Sequence, residues 1–330
     1  MTGKKYINTA FVLMLALLCW IMTRFYLLPG QNGSGSLFAT VLTDVLLFGL
    51  AVSMTVCTLI RVSARLRKPS GNSFNAAGWG SVVFHTGMVV ILFGFAVSSL
   101  FGMRGSVMIP EGVAIKFPAE MENLEKGPLH VFEEYTVGLK KLELVRDDNI
   151  VGQVRSDLDF FTGTFPNRRV MEINRPVKFM GYYWRSMNWG YSVRLQVKKQ
   201  GKLVLDDFLN IATHRDGVYY DRFSIPDLGE WEVRFYPDIS PGGRPVQNAV
   251  FPVKPATGIK ISGQQDGKNS TETIIRQGQS KKVGKFEVKF VEHRFWEKFD
   301  VSSDPGEIFI YLGSILAVAG LFVRVFFRNG

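Results

Sequence analysis

Two ionisable side chains stand inside long apolar runs: His85, six residues past Trp79 in the run Trp79 to Gly102, and Asp44 in the run Leu37 to Ile60. Such a group in a membrane-spanning helix costs several kcal/mol, so each marks a candidate site. A neutral imidazole at position 85 can serve as an axial ligand to a haem iron, as a proton relay, or as a hydrogen-bond partner for another helix. Asp44 lies some seven residues into its run, where it is either hydrated among lipid headgroups or has a catalytic or proton-carrying role.

Elsewhere the chemistry-bearing residues are scattered. His130, His214 and His293 lie far apart in sequence. His214 borders an Arg215-Asp-Gly turn, where an exposed histidine without a role is the ordinary outcome. His293, within Glu292-His-Arg-Phe-Trp296, ends a strand shortly before the last apolar run, with either a role at the membrane face or none. Tyr182-Tyr-Trp184, Trp189 and Tyr191 suit either a partner-binding surface or sheet packing. No Gly-rich phosphate loop, His-x-x-x-His, Glu-x-x-His or Gly-x-Ser-x-Gly pattern occurs, so no self-contained active site is read from the sequence. Both cysteines, Cys19 and Cys57, fall in apolar runs, and without Cys-x-x-Cys the chain is neither a thiol oxidoreductase of that type nor a c-type cytochrome.

The elements that must position these residues start with four apolar stretches: Ile7 to Leu28, Leu37 to Ile60, Trp79 to Gly102 and Glu307 to Phe327. Each reaches the ~20 residues that a bilayer core demands of a helix. The first reads as a retained helix rather than a cleaved signal, because the run is long and no small-x-small cleavage site precedes Pro29. A net charge of +10 suggests nucleic acid at first sight, yet Met103 to Pro305 holds 30 basic against 27 acidic residues. The excess belongs to the membrane ends, so no nucleic acid is expected. Lys4, Lys5, the Arg61 to Lys68 run, Arg324 and Arg328 share one side if the chain crosses four times, while Pro29 to Ser36 is uncharged. Positive loops stay inside, so both termini are expected in the cytoplasm and the long segment outside the cell membrane. His85, ~9 Å along the third helix, then lies in the inner leaflet.

From Met103 to Pro305 the pattern has period two. Val193, Leu195 and Val197 alternate with polar residues up to a Gln200-Gly201 turn, and Trp231/Val233/Phe235 and Phe286/Val288/Phe290 do the same. Turn signals recur at Asp216-Gly, Pro226-Asp, Pro241-Gly-Gly and Asp266-Gly. The expected fold is therefore four transmembrane helices with a large all-β extracytoplasmic domain, 103–305, inserted between the third and fourth. Residues 1–102 form the first membrane region, and 306–330 the fourth helix and a cytoplasmic tail. On the third helix Gly80, Gly87 and Gly94 recur every seven residues, followed by Ser98 and Gly102, a seam along which another helix can approach closely. His85 is about 200° round the helix from Gly87, pointing away from that seam.

Several stretches resemble the ResB/CcsB (Ccs1-like) family of System II cytochrome c biogenesis. They are Phe84-His-Thr-Gly-Met-Val-Val-Ile-Leu-Phe-Gly94, Ser98 to Gly105, Pro110-Glu-Gly112, Cys57-Thr-Leu-Ile-Arg61, Ile173 to Gly181 and Asp304-Pro-Gly306. The resemblance implies a subunit that works with a CcsA/ResC-type membrane partner to join haem to apocytochrome c outside the membrane, as part of a holocytochrome c synthase complex. It implies that His85 is an axial ligand to haem b in transit, with the second ligand from the partner. It further implies that the β domain receives apocytochrome c, whose cysteines a thioredoxin-like protein keeps reduced. Two other readings are a membrane-anchored β-domain scaffold or receptor without haem and a transporter, the latter poorly served by a single intramembrane acid and no broken-helix pair.

Overall fold

The computed structural model describes residues 49–60, 62–63, 76–147, 150–215, 218–225, 229–246, 249–261 and 272–327. Its helices are α1 (Gly49–Ile60), α2 (Ala76–Phe101) and α3 (Glu307–Phe326). α2 and α3 are the expected third and fourth helices, displaced by a few residues at their ends, and α1 is the described end of the second. The first apolar run, Cys19 and Asp44 lie outside the described residues. Against the expected four spanning helices, two among the described residues, α2 and α3, are long and apolar enough to cross a membrane. Their 26 and 20 residues extend ~39 and ~30 Å, enough for a hydrocarbon core of ~30 Å.

The chain falls into two compact units, one of helices and one of strands. In the helical unit α2 and α3 lie against each other along glycines of both. Gly80 faces Gly320, Gly87 faces Gly313, and Gly94 faces Gly306. A Cβ added at Gly80 would lie 2.6 Å from the Arg324 nitrogen and one at Gly313 2.7 Å from the Gly87 oxygen, so backbone rests on backbone. The start of α3 is tied down by Asp304, whose Oδ1 accepts the Gly306 N–H at 2.9 Å and the Ser98 hydroxyl of α2 at 2.5 Å. Large apolar side chains on the outer faces, such as Phe93 and Phe95 on α2 and Ile315 and Val318 on α3, are about half exposed or more. That surface is a liability in water and is at home in lipid.

The strand unit contains three sheets. The first is ordered β3 (Glu122–Lys126), β1 (Met103–Pro110), β16 (Phe286–Ser303), β8 (Tyr182–Lys199), β7 (Val177–Phe179), with β15 (Ser280–Val283) on β16 and β9 (Lys202–Ile211) on β8. The second runs β10 (Thr213–Arg215), β11 (Val218–Ile225), β12 (Gly229–Tyr236), β13 (Ala256–Ile261), β14 (Thr273–Arg276), and the third β2 (Ala114–Phe117), β4 (Tyr135–Asp147), β5 (Ile150–Phe161), β6 (Pro166–Glu172).

The spine is the antiparallel pair β8–β16, 18 residues each, or ~60 Å of strand. Its two ends serve different cores. From Tyr191 to Val197, β8 packs with Phe286, Val288 and Phe290 of β16 against Trp231, Val233 and Phe235 of the second sheet. Tyr182 and Trp184 instead meet Phe117, Tyr135 and Phe160 of the third sheet. The expected alternations around β8, β12 and β16 are thus inward-facing rows. The Gln200-Gly201 turn joins β8 to β9 with φ of 53° and 80°, the two positive values a tight hairpin turn requires. The Asp216-Gly, Pro226-Asp and Asp266-Gly turns fall outside the described residues.

Because the nearest atoms around Gly87 are all α3 backbone, of Gly313 and Ala317, enlarging this glycine must push the helices apart. Gly87→Leu is expected to destabilise the chain by ~1–3 kcal/mol or more. Thr86→Leu, at an exposed position, is expected to stay within ~0.5 kcal/mol of wild type. Thermal unfolding in detergent checks both.

Candidate functional site

The glycine contacts fix how α2 is turned about its own axis. His85, about 200° from Gly87, is therefore carried on the side away from α3, where it is half-buried. The ring meets Phe84 edge-on, with centroids 5.5 Å apart, and Nδ1 lies 2.6 Å from the Ser81 carbonyl oxygen one turn earlier. A carbonyl can only accept, so Nδ1 carries the proton and donates. In the neutral ring the lone pair then sits on Nε2. Metal-binding histidines are commonly held in this way, one nitrogen donating to a carbonyl so that the other is oriented and made more basic. The residues present therefore fit an iron ligated through Nε2.

The other histidines have different surroundings. His130 approaches the C-terminal end of α2: its Nδ1 lies 2.6 Å from the Phe101 oxygen. His214 is exposed, with its ring stacked on Tyr219 at 4.3 Å. His293 bonds Gln277 Oε1 through Nδ1 at 3.0 Å and packs its ring 5.4 Å from Phe235; burial lowers its pKa, opposed by the neighbouring Glu292. The aromatic cluster is sheet packing: Tyr182, Trp184 and Tyr191 are buried, and Trp189 lies against the core. Cys57 is a buried free thiol. Among the described residues no group of three or more His, Cys, Asp or Glu stands close enough to hold a metal ion.

One buried carboxyl was not anticipated. Glu297 on β16 is fully buried, bonded by the hydroxyl of Ser156 on β5, with Ser186 also donating, while Oε1 has no partner among the described residues. Burial raises its pKa, opposed by the two serine bonds. The ladder with β8 is irregular between Lys298 and Phe299, and Trp296, Glu297, Phe299 and Asp300 are all buried. Simple alternation would have sent one of each adjacent pair to solvent.

The ResB-like family profile matches residues 75–329, from the start of α2 through the strand unit to the end of α3. That is well over half of the chain. The chain belongs to the ResB-like family. The match takes in His85, the glycines of both helices and Asp304-Pro-Gly306, while Cys57 to Arg61 precedes it. Among characterised proteins, this ResB-like chain is similar to the cytochrome c biogenesis protein CCS1, chloroplastic, of Oryza sativa subsp. japonica. The two are 26% identical over 141 residues, 38% of this chain and 23% of the relative. The chain thus matches under a quarter of that protein's length.

Glu297 offers a test of the strand unit's electrostatics. Its folded pKa lies above the ordinary 4.5, so its contribution is complete below that value and is lost as pH rises through the folded value. Glu297→Gln cannot ionise. The variant is expected to gain stability relative to wild type as pH rises above 4.5, then to level off. Urea unfolding between ~pH 4 and 8 reads this out; a difference independent of pH counts against a protonated buried carboxyl.

Proposed function

We propose that this ResB-like chain is a subunit of a System II cytochrome c assembly complex. With a CcsA/ResC-type membrane partner it takes haem within the membrane and presents it, together with apocytochrome c, for attachment on the outer face. The match over residues 75–329, which covers α2, the strand unit and α3 together, carries this reading. The biogenesis role named for the rice relative supports it, as do two apolar helices of membrane-spanning length and basic residues gathered at the membrane ends.

In this reading His85 is the chain's axial ligand, through Nε2, for haem b as cargo. The Ser81 carbonyl holds the ring in the required tautomer, and the partner supplies the opposite ligand. Each thioether forms when a cysteine thiol adds across a haem vinyl group, sulfur to one carbon and hydrogen to the other, so the apocytochrome cysteines must be reduced. This chain has no Cys-x-x-Cys with which to reduce them, which leaves that step to a thiol-reducing, thioredoxin-like partner. The strand unit supplies the surface that receives apocytochrome c.

The alternative is a membrane-anchored scaffold or receptor in which the His85–Ser81 bond merely satisfies a polar side chain inside its own helix. The two readings part on purified protein. The chain co-expressed with its CcsA/ResC-type partner is expected to carry haem with a low-spin spectrum, and His85→Ala to lose most of it, with added imidazole restoring the spectrum. Equal haem and unchanged axial ligation in His85→Ala would exclude the ligand role. Wild-type complex without haem would leave the scaffold.

A further inference from the structure

The six residues Lys126–Val131 come from the middle of the strand-forming region, yet they group with the helices. Hydrogen bonds explain why. The last carbonyls of a helix have no partner within it. Here the Gly127 N–H donates to the Gly102 oxygen at 2.8 Å, the Leu129 N–H to Leu100 at 2.9 Å, and His130 Nδ1 to Phe101 at 2.6 Å. The segment closes on itself through the His130 N–H and the Gly127 oxygen at 3.1 Å. Its seating is tight, since a Cβ at Gly127 would fall 2.5 Å from the Ser99 oxygen. At a helix end in water, either solvent or a cap can satisfy those carbonyls. In a membrane the protein must do so itself.

The side chains of the loop agree with its backbone. Leu129 is 53% exposed and Val131 83%, beside Leu100 at 38% and Phe101 at 41% at the end of α2. Leu129 and Val131 thus carry the exposed apolar surface of Leu100 and Phe101 past the end of the helix. We propose that Lys126–Val131 is an interfacial membrane contact, whose Leu129 and Val131 side chains insert at the headgroup–acyl boundary of the leaflet that holds the C-terminal end of α2. The occupant is lipid because the patch continues the apolar outer surface of α2, and short apolar insertions of this kind seat ~5–10 Å into that boundary. The inference rests on the reading that α2 and α3 cross the membrane.

Depth measurement with a nitroxide label separates the two. In the full chain with Cys19→Ser and Cys57→Ser, single cysteines are introduced as Val131→Cys, Leu129→Cys and Phe93→Cys, and the protein is placed in phosphatidylethanolamine/phosphatidylglycerol vesicles. Phe93 lies ~12 Å along α2 from Phe101 and reports the hydrocarbon. Relaxation by oxygen, relative to that by a water-soluble nickel chelate, is expected to rise several-fold over the free label at positions 129 and 131 and further at 93. Labels at 129 and 131 that read as the free label does, with 93 in hydrocarbon, overturn the proposal and leave the spanning reading intact. Labels there shielded from both reagents mean that protein covers the loop, which also overturns it. If position 93 itself reads as aqueous, the spanning reading fails and the loop contact with it.

Discussion

The constraint on which the rest of the helical unit depends is backbone-to-backbone contact between α2 and α3. Three pairs of glycines, one turn of the pattern every seven residues, remove the side chains that would hold the helices apart. Close approach then lets main-chain atoms pack directly, which is what associates helices when the surroundings are as apolar as the side chains. Everything on α2 inherits its direction from this contact. His85 is turned away from α3 because the glycines are turned toward it, and Ser98 reaches Asp304 because the same seam ends there.

The strand unit solves a different problem with different means. Two long strands, β8 and β16, run as one ladder and are shared by two cores, so neither core is closed without them. Trp296 shows how such a shared strand is pinned: its Nε1 donates to the carbonyls of Tyr191 and Ile211 at 3.1 Å each, and its ring occupies the space that Gly190 leaves empty. An indole is both large and a donor, so burying it is favourable only where a backbone acceptor waits. β1 and β16, the strands that follow α2 and precede α3 in sequence, are neighbours in the same sheet. The chain therefore leaves and rejoins the helices through paired strands.

Much of this was legible in the residues. Lengths of apolar sequence located α2 and α3, period-two rows located β8, β12 and β16, and the heptad of glycines announced a close helix partner. It did not name that partner, because Gly306, Gly313 and Gly320 become meaningful only when set antiparallel to Gly80, Gly87 and Gly94. The Lys126–Val131 loop was not legible at all. Hydrogen bonds to carbonyls 25 and 29 residues earlier, from Gly127 to Gly102 and from Leu129 to Leu100, leave no periodic trace. Glu297 escaped because β16 is buried there on both faces, Trp296 on one and Glu297 on the other, so alternation does not mark an inward side. His85 was legible as a position and, through Ser81, the structure adds which nitrogen carries the lone pair.

The glycine pairs have one more property. In each of them the two residue numbers shift by seven in opposite senses, so the contact repeats only after a full heptad, ~10.5 Å of helix. A smaller slide of α2 along α3 would take the glycines off one another and set Cβ-bearing positions against sites sized for hydrogen. The pair consequently behaves as a toothed rack with coarse teeth rather than a lubricated piston. Such a rack resists the small axial strokes by which some membrane proteins signal, and it holds an imidazole carried on its flank at a constant depth.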